Sequence, residues 1–379
     1  MSVTPFRFVR RALGAGIAAA LALAAIAAPA RAADTGEPKE LNIYNWSDYI
    51  ADDTIANFEK ETGIKVRYDN YDSNEVLQAK LRAGKTGYDI VVPGSVFAKQ
   101  YIAGGLLKPL DKAALTNWGN LDRALLEQLA KVDPGNQYLV DWMWGYVTVG
   151  INEAKVKKAL GDLPMPENAW SLIFDPKYAS KLKSCGISFL DSASEVFPVA
   201  NLYVGKEPYS GNEADYKVAA DMLKSVRPNI RLFSSSGYIN DLANGSLCAV
   251  MGYSGDINIA RQRAIEAKNG QSIRALIPST GATLFFDTMA IPADAPHPKN
   301  AHLFINYILR AEVVAAITNK VFYANPNAAS LKFVKKDVGE NKTIFLAPED
   351  TKKMIAPDTV SQDIRRVQTR LFTSFKSGR

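Results

Sequence analysis

LNIYNW, at residues 41–46, alternates apolar and polar side chains as a half-buried β-strand does, and it begins the pattern that decides the fold. IKVRY at residues 64–68 and DIVVP at residues 89–93 predict two further strands. Helical spacing fills the two intervals, and the helical patterns end at Gly63 and Gly84. Because the last strand is continuously apolar, it indicates a parallel sheet that is buried on both faces. The β-α-β-α-β order predicts an α/β lobe.

The next part of the chain predicts a second α/β lobe that is joined to the first by crossing strands. Residues 142–152 and 283–291 have the extended pattern of such strands. Two lobes joined in this way leave a cleft between them, where ligands bind near the carboxyl ends of strands. The expected limits are 33–146 and 285–322 for lobe 1, 147–284 for lobe 2, and 323–379 for a C-terminal helical segment that packs on lobe 2.

The first 32 residues predict an export signal rather than part of the fold. Three arginines, at positions 7, 10 and 11, precede an alanine- and leucine-rich run over 12–28, and Ala30-Arg31-Ala32 has the pattern of a cleavage site. A membrane anchor is the alternative, but the run is short for a span. Cleavage before Ala33 removes four of the 45 basic residues and none of the 39 acidic ones, which leaves a net charge of about +2. With no basic stripe left, nucleic-acid binding loses its support.

The two cysteines, Cys185 and Cys248, are expected to form a disulfide. An exported protein folds in an oxidising compartment, where an isolated pair of cysteines usually bridges. The alternative is two buried thiols.

Carboxylates next to aromatic side chains recur along the chain. The segments are Trp46-Ser47-Asp48-Tyr49, Glu195-Val196-Phe197, Tyr253-Ser254-Gly255-Asp256, Phe285-Phe286-Asp287 and Phe322-Tyr323. Carboxylates bind ammonium groups, and aromatic faces attract cations and cover methylene groups. Taken singly, each segment has a structural alternative: Trp46 and Tyr49 as core residues, or Asp256 as a helix cap. Taken together behind an export signal, they predict a binding site for a small organic cation.

Enzymatic functions find little support in the sequence. The only histidines, His297 and His302, have no partner at metal-ligand or catalytic spacing, and no phosphate-binding, dinucleotide-binding or nucleophile-elbow motif occurs. A pair chosen from Asp48, Glu195, Asp256 and Asp287 would be needed for a glycoside hydrolase. We therefore expect no catalytic residue, metal or cofactor, and a secreted hydrolase remains the alternative.

The chain resembles the periplasmic polyamine-binding proteins of ABC transporters, and most closely the putrescine-binding kind. The stretches that carry the resemblance are IYNWSDYI (43–50), NFEKETGIKV (57–66), DSNEVL (72–77), SFLD (188–191), YINDLANG (238–245) and VFYAN (321–325). The resemblance implies a type II periplasmic binding fold, α/β and two-lobed, with a hinge and a ligand cleft between the lobes. It also implies a periplasmic monomer that captures a polyamine and delivers it to a permease in the inner membrane.

The resemblance also implies roles for individual residues. The segment from Trp46 through Ser47 and Asp48 to Tyr49 would form one wall of the cleft. Glu195, Asp256 and Asp287 would face the amines, Phe285 and Tyr323 would line the methylene chain, and the family disulfide would join Cys185 to Cys248. Two positions depart from the family pattern: Tyr253 replaces a tryptophan, and Gly94 replaces a serine whose hydroxyl Ser95 could supply.

Four positions favour a diamine over a triamine within this resemblance. Relatives that prefer spermidine carry a glutamate, a tyrosine, an aspartate and a tryptophan where this chain has Asp48, Val96, Ser192 and Phe285. Fewer charges and a smaller ring suit putrescine. Spermidine, cadaverine, agmatine or another organic cation remain alternatives, as does a sensory role in place of uptake.

Overall fold

The computed structural model describes residues 35–378, so the predicted export signal lies outside the described residues. The strands are β1 Glu40–Trp46, β2 Lys65–Tyr71, β3 Ile90–Val91, β4 Leu107–Lys108, β5 Val140–Asn152, β6 Ile187–Phe189, β7 Ile230–Phe233, β8 Ala249–Tyr253, β9 Ile273–Ala275, β10 Leu284–Met289 and β11 Ile291–Pro292.

Helices alternate with these strands. They are α1 Thr54–Thr62, α2 Asn74–Ala83, α3 Ser95–Ala103, α4 Arg123–Leu129, α5 Glu153–Leu160, α6 Ser171–Phe174, α7 Pro176–Leu182, α8 Ala193–Tyr203, α9 Glu213–Val226, α10 Tyr238–Ala243, α11 Ser254–Glu266, α12 Pro298–Ile308, α13 Ala311–Val321, α14 Lys336–Gly339, α15 Pro348–Thr351 and α16 Gln362–Ser377. Short 3₁₀ turns occupy Lys112–Ala114, Trp118–Asn120, Arg227–Asn229 and Ala328–Phe333.

The β-α-β-α-β pattern of the first lobe is confirmed. Strands β2, β1 and β3 form a parallel sheet in that order. Helix α1 ends where Gly63 adopts φ 72° and its N–H donates to the Glu59 carbonyl, a conformation that glycine reaches without steric cost. Helix α2 begins at Ser73, whose hydroxyl accepts from the N–H of Val76. These local signals set the lengths of the helices, so the carboxyl ends of β1 and β3 come to lie side by side.

The long strand β5 joins the two parts of the molecule. Its first half, as far as Tyr146, pairs antiparallel with β10, and its second half pairs antiparallel with β8. Strands β8, β6 and β7 continue the second sheet in parallel, and β9 pairs with the end of β5. The expected crossing strands are therefore present, and they place the ends of β1, β8 and β10 around one cleft.

Hydrophobic cores on the two sides of the cleft stabilise this arrangement. One core contains Phe58, Trp142 and Phe304 together with β1 and β3, and it belongs to the first lobe. The other contains Trp170, Phe197 and the helices against β6 and β8. Helix α16 buries Phe372 and Phe375 in that second core. Burying apolar side chains is the main favourable term in folding, so each lobe holds its own shape.

The second lobe also contains the disulfide that was expected. Cys185 follows α7 and Cys248 precedes β8, and the two sulfurs are bonded. The bridge confirms the prediction, and it ties the start of β8 to the segment before β6. Among residues 35–378 no single helix is long and apolar enough to cross a membrane, although α12 and α13, bent by 76°, pass that test of composition as a pair.

Candidate ligand-binding site

A cavity of about 1040 Å3, part of it open to solvent, lies between the two lobes. Ten of the eleven predicted site residues line it: Trp46, Ser47, Tyr49, Gly94, Glu195, Tyr253, Asp256, Phe285, Asp287 and Tyr323. Trp46 ends β1, Tyr253 ends β8, and Asp256 and Glu195 lie in the first turns of α11 and α8. The site therefore forms where strands end and helices begin, as in other open α/β sheets.

Asp287 projects from β10 into the floor of the cavity. Asp287 is 7% exposed, and its Oδ2 accepts a hydrogen bond of 2.9 Å from the Tyr49 hydroxyl. Burial raises the pKa of Asp287 well above its usual range, and the charges of Glu195 and Asp256 raise it further, against the opposing effect of Tyr49. This carboxyl group is costly to ionise unless a cation arrives beside it.

Asp256 is held by two tyrosines. The Tyr238 hydroxyl donates to Oδ2 at 2.8 Å, and the Tyr323 hydroxyl donates to Oδ1 at 2.6 Å. The Asp256 N–H donates in turn to the Tyr323 oxygen at 3.1 Å. Burial raises the pKa of Asp256 to about 6, while the two hydroxyls lower it. Both oxygens are therefore fixed in orientation before any ligand binds.

Glu195 supplies a third carboxyl group to the cavity. Burial raises its pKa to about 7, and the nearby charge of Glu75 adds to the shift. Glu75 comes from the first lobe, where its Oε1 accepts a hydrogen bond of 3.0 Å from Ser194 of the second lobe. The cavity thus collects carboxyl groups whose charges repel one another, which favours a positively charged ligand.

Aromatic rings form the walls between these carboxyl groups. Phe285 packs edge-to-face against Tyr253 at 5.4 Å and lies 6.0 Å from Tyr323, while Tyr49 meets Tyr323 edge-to-face at 4.9 Å. The Trp46 Nε1–H donates to the Val92 carbonyl at 2.9 Å, which fixes the indole ring. Held rings of this kind can cover methylene groups and attract an ammonium group to their faces.

Asp48 differs from its predicted role. It does not line the cavity; its side chain is exposed, and its Oδ1 pairs with Nη2 of Arg263 on α11 at 2.6 Å. The backbone of Asp48 has φ 54°, so the chain turns sharply between Ser47 and Tyr49 and points this side chain toward the other lobe. Asp48 therefore contributes a contact between the lobes at the cavity rim.

Ser192, one of the four positions that favoured a diamine over a triamine, also lies away from the cavity. Ser192 is buried and does not line the cavity; its hydroxyl shares a 3.0 Å hydrogen bond with Ser194. Val96 and Phe285 do line the cavity. Only two of the four positions used to favour a diamine thus lie where they could contact a ligand.

Gly94 leaves room for a neighbour that the sequence analysis missed. The Gly94 N–H donates to Asn74 Oδ1 at 2.9 Å, and a Cβ at this position would lie 3.0 Å from Asn74 Nδ2. A serine here would require the Asn74 side chain to shift by a few tenths of an ångström. Ser95, which was expected to supply a hydroxyl instead, lines the cavity and has a buried Oγ without a hydrogen-bond partner among the described residues.

Further residues at the site were not among the predicted ones, although Asn74 and Tyr238 lie in two of the stretches that carry the family resemblance. Asn74, Tyr71 and Arg365 lie in ordinary helix or strand patterns, and Tyr238 reaches Asp256 from behind. The two histidines have structural partners: His297 lies 3.1 Å from a carboxylate oxygen of Asp89, and His302 Nε2 accepts from the N–H of Asp111. Within residues 35–378, no three potential metal ligands cluster.

Comparisons with known proteins identify solute-binding proteins as relatives of this chain. The family model for bacterial extracellular solute-binding proteins matches residues 53–343. The putrescine-binding periplasmic protein PotF of Escherichia coli is 49% identical over 90% of this chain and 93% of its own length. SpuD of Pseudomonas aeruginosa, also a putrescine-binding periplasmic protein, is 45% identical over 95% and 97%.

A solved structure from Listeria monocytogenes, assigned to a spermidine/putrescine ABC transporter, superposes with a TM-score of 0.80 and 30% identity over 90% of this chain and all of that one. These relatives are binding proteins of transport systems rather than enzymes. The architecture is the two-lobed type II periplasmic binding fold that the sequence predicted. The chain belongs to the family of bacterial extracellular solute-binding proteins.

Proposed function

We propose that this protein captures a polyamine, with putrescine favoured, and delivers it to an ABC transporter. The observation that carries the proposal is the set of three carboxyl groups, from Asp256, Asp287 and Glu195, whose pKa values are all raised by burial inside one aromatic cavity. Like charges held together out of water are costly, and a ligand with an ammonium group at each end relieves that cost.

The proposed complex uses both ends of the ligand. One ammonium group lies between Asp256 and Asp287, where Tyr49 and Tyr323 fix the carboxylates. The second ammonium group faces Glu195. The methylene groups between them pack on Phe285 and its neighbouring rings. No bond is made or broken, so the function is binding and release.

Putrescine is favoured because the relatives with 49% and 45% identity are named for it. The smaller ring of Phe285 and the uncharged Val96 at the cavity agree with a short diamine. Spermidine, cadaverine and agmatine are the alternatives within this class.

Transport follows from closure of the two lobes around the ligand. We propose that residues 33–146 with 285–322 move against 147–284, which carries the C-terminal segment. Contacts that cross between the lobes, Asp48 to Arg263 and Ser194 to Glu75, form in the closed arrangement. A ligand shifts such an equilibrium only through its stronger binding to the closed state, and the buried ammonium pairs provide that difference. We further propose a periplasmic monomer, cleaved before Ala33, that docks on an inner-membrane permease.

The proposal is tested by isothermal titration of residues 33–379 after removal of co-purified ligand. Putrescine, cadaverine, spermidine and agmatine are compared under one buffer condition. One-to-one binding of putrescine at micromolar concentration or tighter, and stronger than that of spermidine, is expected. Tighter binding of spermidine would overturn the preference for putrescine, and no heat with any polyamine would overturn the function itself.

A further inference from the structure

Helix α3 begins at the wall of the cavity without a capping side chain. Gly94 is its N-cap residue, so no side-chain oxygen accepts from the N–H groups of the first turn. The Gly94 carbonyl accepts from the N–H groups of Phe97 and Ala98, whereas the N–H of Val96 has no hydrogen-bond partner within residues 35–378. Gly94 and Val96 both line the cavity. A free donor at the partially positive end of a helix therefore lies at the cavity wall.

Two polar side chains beside this helix start also have donors to offer. Asn74 is 8% exposed, and its Oδ1 accepts from the Gly94 N–H at 2.9 Å, which leaves Nδ2 without an acceptor in the part of the chain that the structure describes. Ser95 is 2% exposed, and its buried Oγ has no partner among the same residues. Both residues line the cavity. Because buried polar groups almost always form hydrogen bonds, this group of donors is suited to a ligand oxygen.

The Asn74 amide lies on the same side of the backbone as the Asp287 carboxyl group. Gly94 and Asp287 face each other across an antiparallel bridge. Residues opposed in this way have Cβ atoms about 4.5–5.5 Å apart on one face of the strands. A Cβ on Gly94 would lie 3.0 Å from Asn74 Nδ2. The amide nitrogen is therefore at most roughly 8–9 Å from Asp287 Cβ, a separation that a ligand oxygen can bridge.

The chemistry of Asp287 decides which kind of oxygen fits between these groups. Tyr49 donates to Oδ2 of Asp287, and Oδ1 accepts no hydrogen bond from the described residues. An oxygen placed here must accept from the Asn74 amide and donate to Oδ1. A hydroxyl group does both, whereas a carbonyl or a carboxylate only accepts and would bring its lone pairs against the Asp287 carboxylate.

We propose that Asn74, Val96 N–H and Asp287 form a subsite for a hydroxyl group, so that the protein binds diamines hydroxylated next to one amine-bearing carbon. The inference rests on the proposed function, which places an ammonium group between Asp256 and Asp287. The neighbouring hydroxyl then accepts from the first-lobe donors and donates to Asp287 Oδ1. With putrescine, an ordered water fills the same position. A ligand hydroxyl that repeats the hydrogen bonds of that water replaces it without loss of affinity.

Three ligands test the subsite by isothermal titration after removal of co-purified ligand. They are putrescine, 1,4-diamino-2-butanol and 1,4-diamino-2-methylbutane. The last two carry a branch of similar size at the same carbon, and only the first of them has a hydroxyl. We expect the hydroxylated diamine to bind at least as tightly as putrescine. It should bind roughly five- to fiftyfold more tightly than the methylated one, as for one or two hydrogen bonds with neutral donors.

A serine at position 94 should remove this preference. Gly94 has φ −60° and ψ 140°, which any residue can adopt, so G94S is expected to fold. Its hydroxyl would cap α3 and take the place of the ligand oxygen, so the affinity ratio of the hydroxylated to the methylated diamine should fall to near one. G119S is the matched control, because Gly119 is exposed and an added Cβ there meets no atom within 4 Å. The ratio should stay at its wild-type value in G119S, and thermal unfolding checks that both variants are folded.

Several results would overturn the inference. Equal binding of the two branched diamines by the wild type is one, and an unchanged ratio in folded G94S or an equal change in G119S is another. Tighter binding of ornithine than of 1,4-diamino-2-butanol would overturn it in favour of a carboxylate subsite. Absence of heat with all three diamines would overturn the proposed function as well. Putrescine binding without a distinction between the two branched diamines would overturn this inference alone.

Discussion

Asp256 and Asp287 are the same residue type and line one cavity, but they differ in hydrogen bonding and in burial. Asp256 belongs to the second lobe, accepts hydrogen bonds from Tyr238 and Tyr323, and lies in the first turn of α11, where a helix favours negative charge. Asp287 belongs to the first lobe, accepts one hydrogen bond from Tyr49, and is more deeply buried. Asp256 is prepared to be ionised before the ligand arrives, whereas Asp287 depends on the ligand for its charge.

Replacement of these carboxyl groups should have the largest effect. We expect D256A to weaken putrescine binding by about 3–5 kcal/mol, the cost of breaking a buried ion pair, or roughly a hundred- to several-thousandfold. D287N should cost less, and its cost should shrink as the pH falls, because burial raises the pKa of Asp287 well above its usual range and protonation removes the charge that the substitution deletes. Titration calorimetry measures both, with D363N on exposed α16 surface as the control. Equal losses at both sites and at every pH would contradict the distinction.

The second largest effect that we expect is the change of putrescine affinity with pH in the wild-type protein. The carboxyl pKa values are raised in the folded protein, so the free protein is most stable below the unfolded values and loses stability as the pH rises through about 6 for Asp256 and about 7 for Glu195. A bound dication favours the ionised forms, so affinity should rise roughly ten- to a hundredfold from pH 5.5 to pH 8. Binding near pH 6.5 should release protons, which titration in buffers of different ionisation enthalpy detects. A flat profile would mean that these groups are already ionised.

Removal of a single tyrosine hydroxyl group tests how far each hydrogen bond contributes to the difference between Asp256 and Asp287. Y323F deletes a donor to Asp256, and Y49F deletes the donor to Asp287. A hydrogen bond to a charged group contributes about 1.5–3 kcal/mol, part of which remains in the free protein, so each change should cost roughly three- to thirtyfold in affinity. Y323F should in addition shift the pH profile upward, since it removes a bond that lowers the pKa of Asp256. An unshifted profile in Y323F would show that Tyr238 alone holds the carboxylate.

The ion pair between Asp48 and Arg263 at the cavity rim should have the smallest effect on ligand affinity. Asp48 and Arg263 are both partly solvated, and ion pairs of this kind contribute about 0–1 kcal/mol. D48N should therefore reduce affinity less than about fivefold, and mainly by faster dissociation, which stopped-flow measurement of tryptophan fluorescence can follow. A loss as large as that of D256A would return Asp48 to the ligand site that the sequence predicted.

Sequence reasoning placed most of the cavity because strand ends are recognisable from local patterns. Trp46 and Tyr253 end strands, and Asp256 and Glu195 begin helices, so their neighbourhood follows from the topology of the sheets. Asp48 was misplaced because its positive φ, which reverses the direction of the side chain, leaves no mark on the spacing. Arg365 was missed because α16, far along the chain, brings it to the site. Tyr238 was missed because only the packing of α10 beside α11 brings its hydroxyl to Asp256.

The sequence by itself determined the two α/β lobes, the disulfide between Cys185 and Cys248, and the acid–aromatic character of the site, because hydrophobic periodicity and residue chemistry are local properties. The tertiary structure alone decided which carboxyl groups share a cavity, which of them a tyrosine fixes, and which are turned away. It also brought Arg365 of α16 into the lining of the cavity. Charges, burial and hydrogen bonds depend on distances in space, and the order of residues along the chain does not contain those distances.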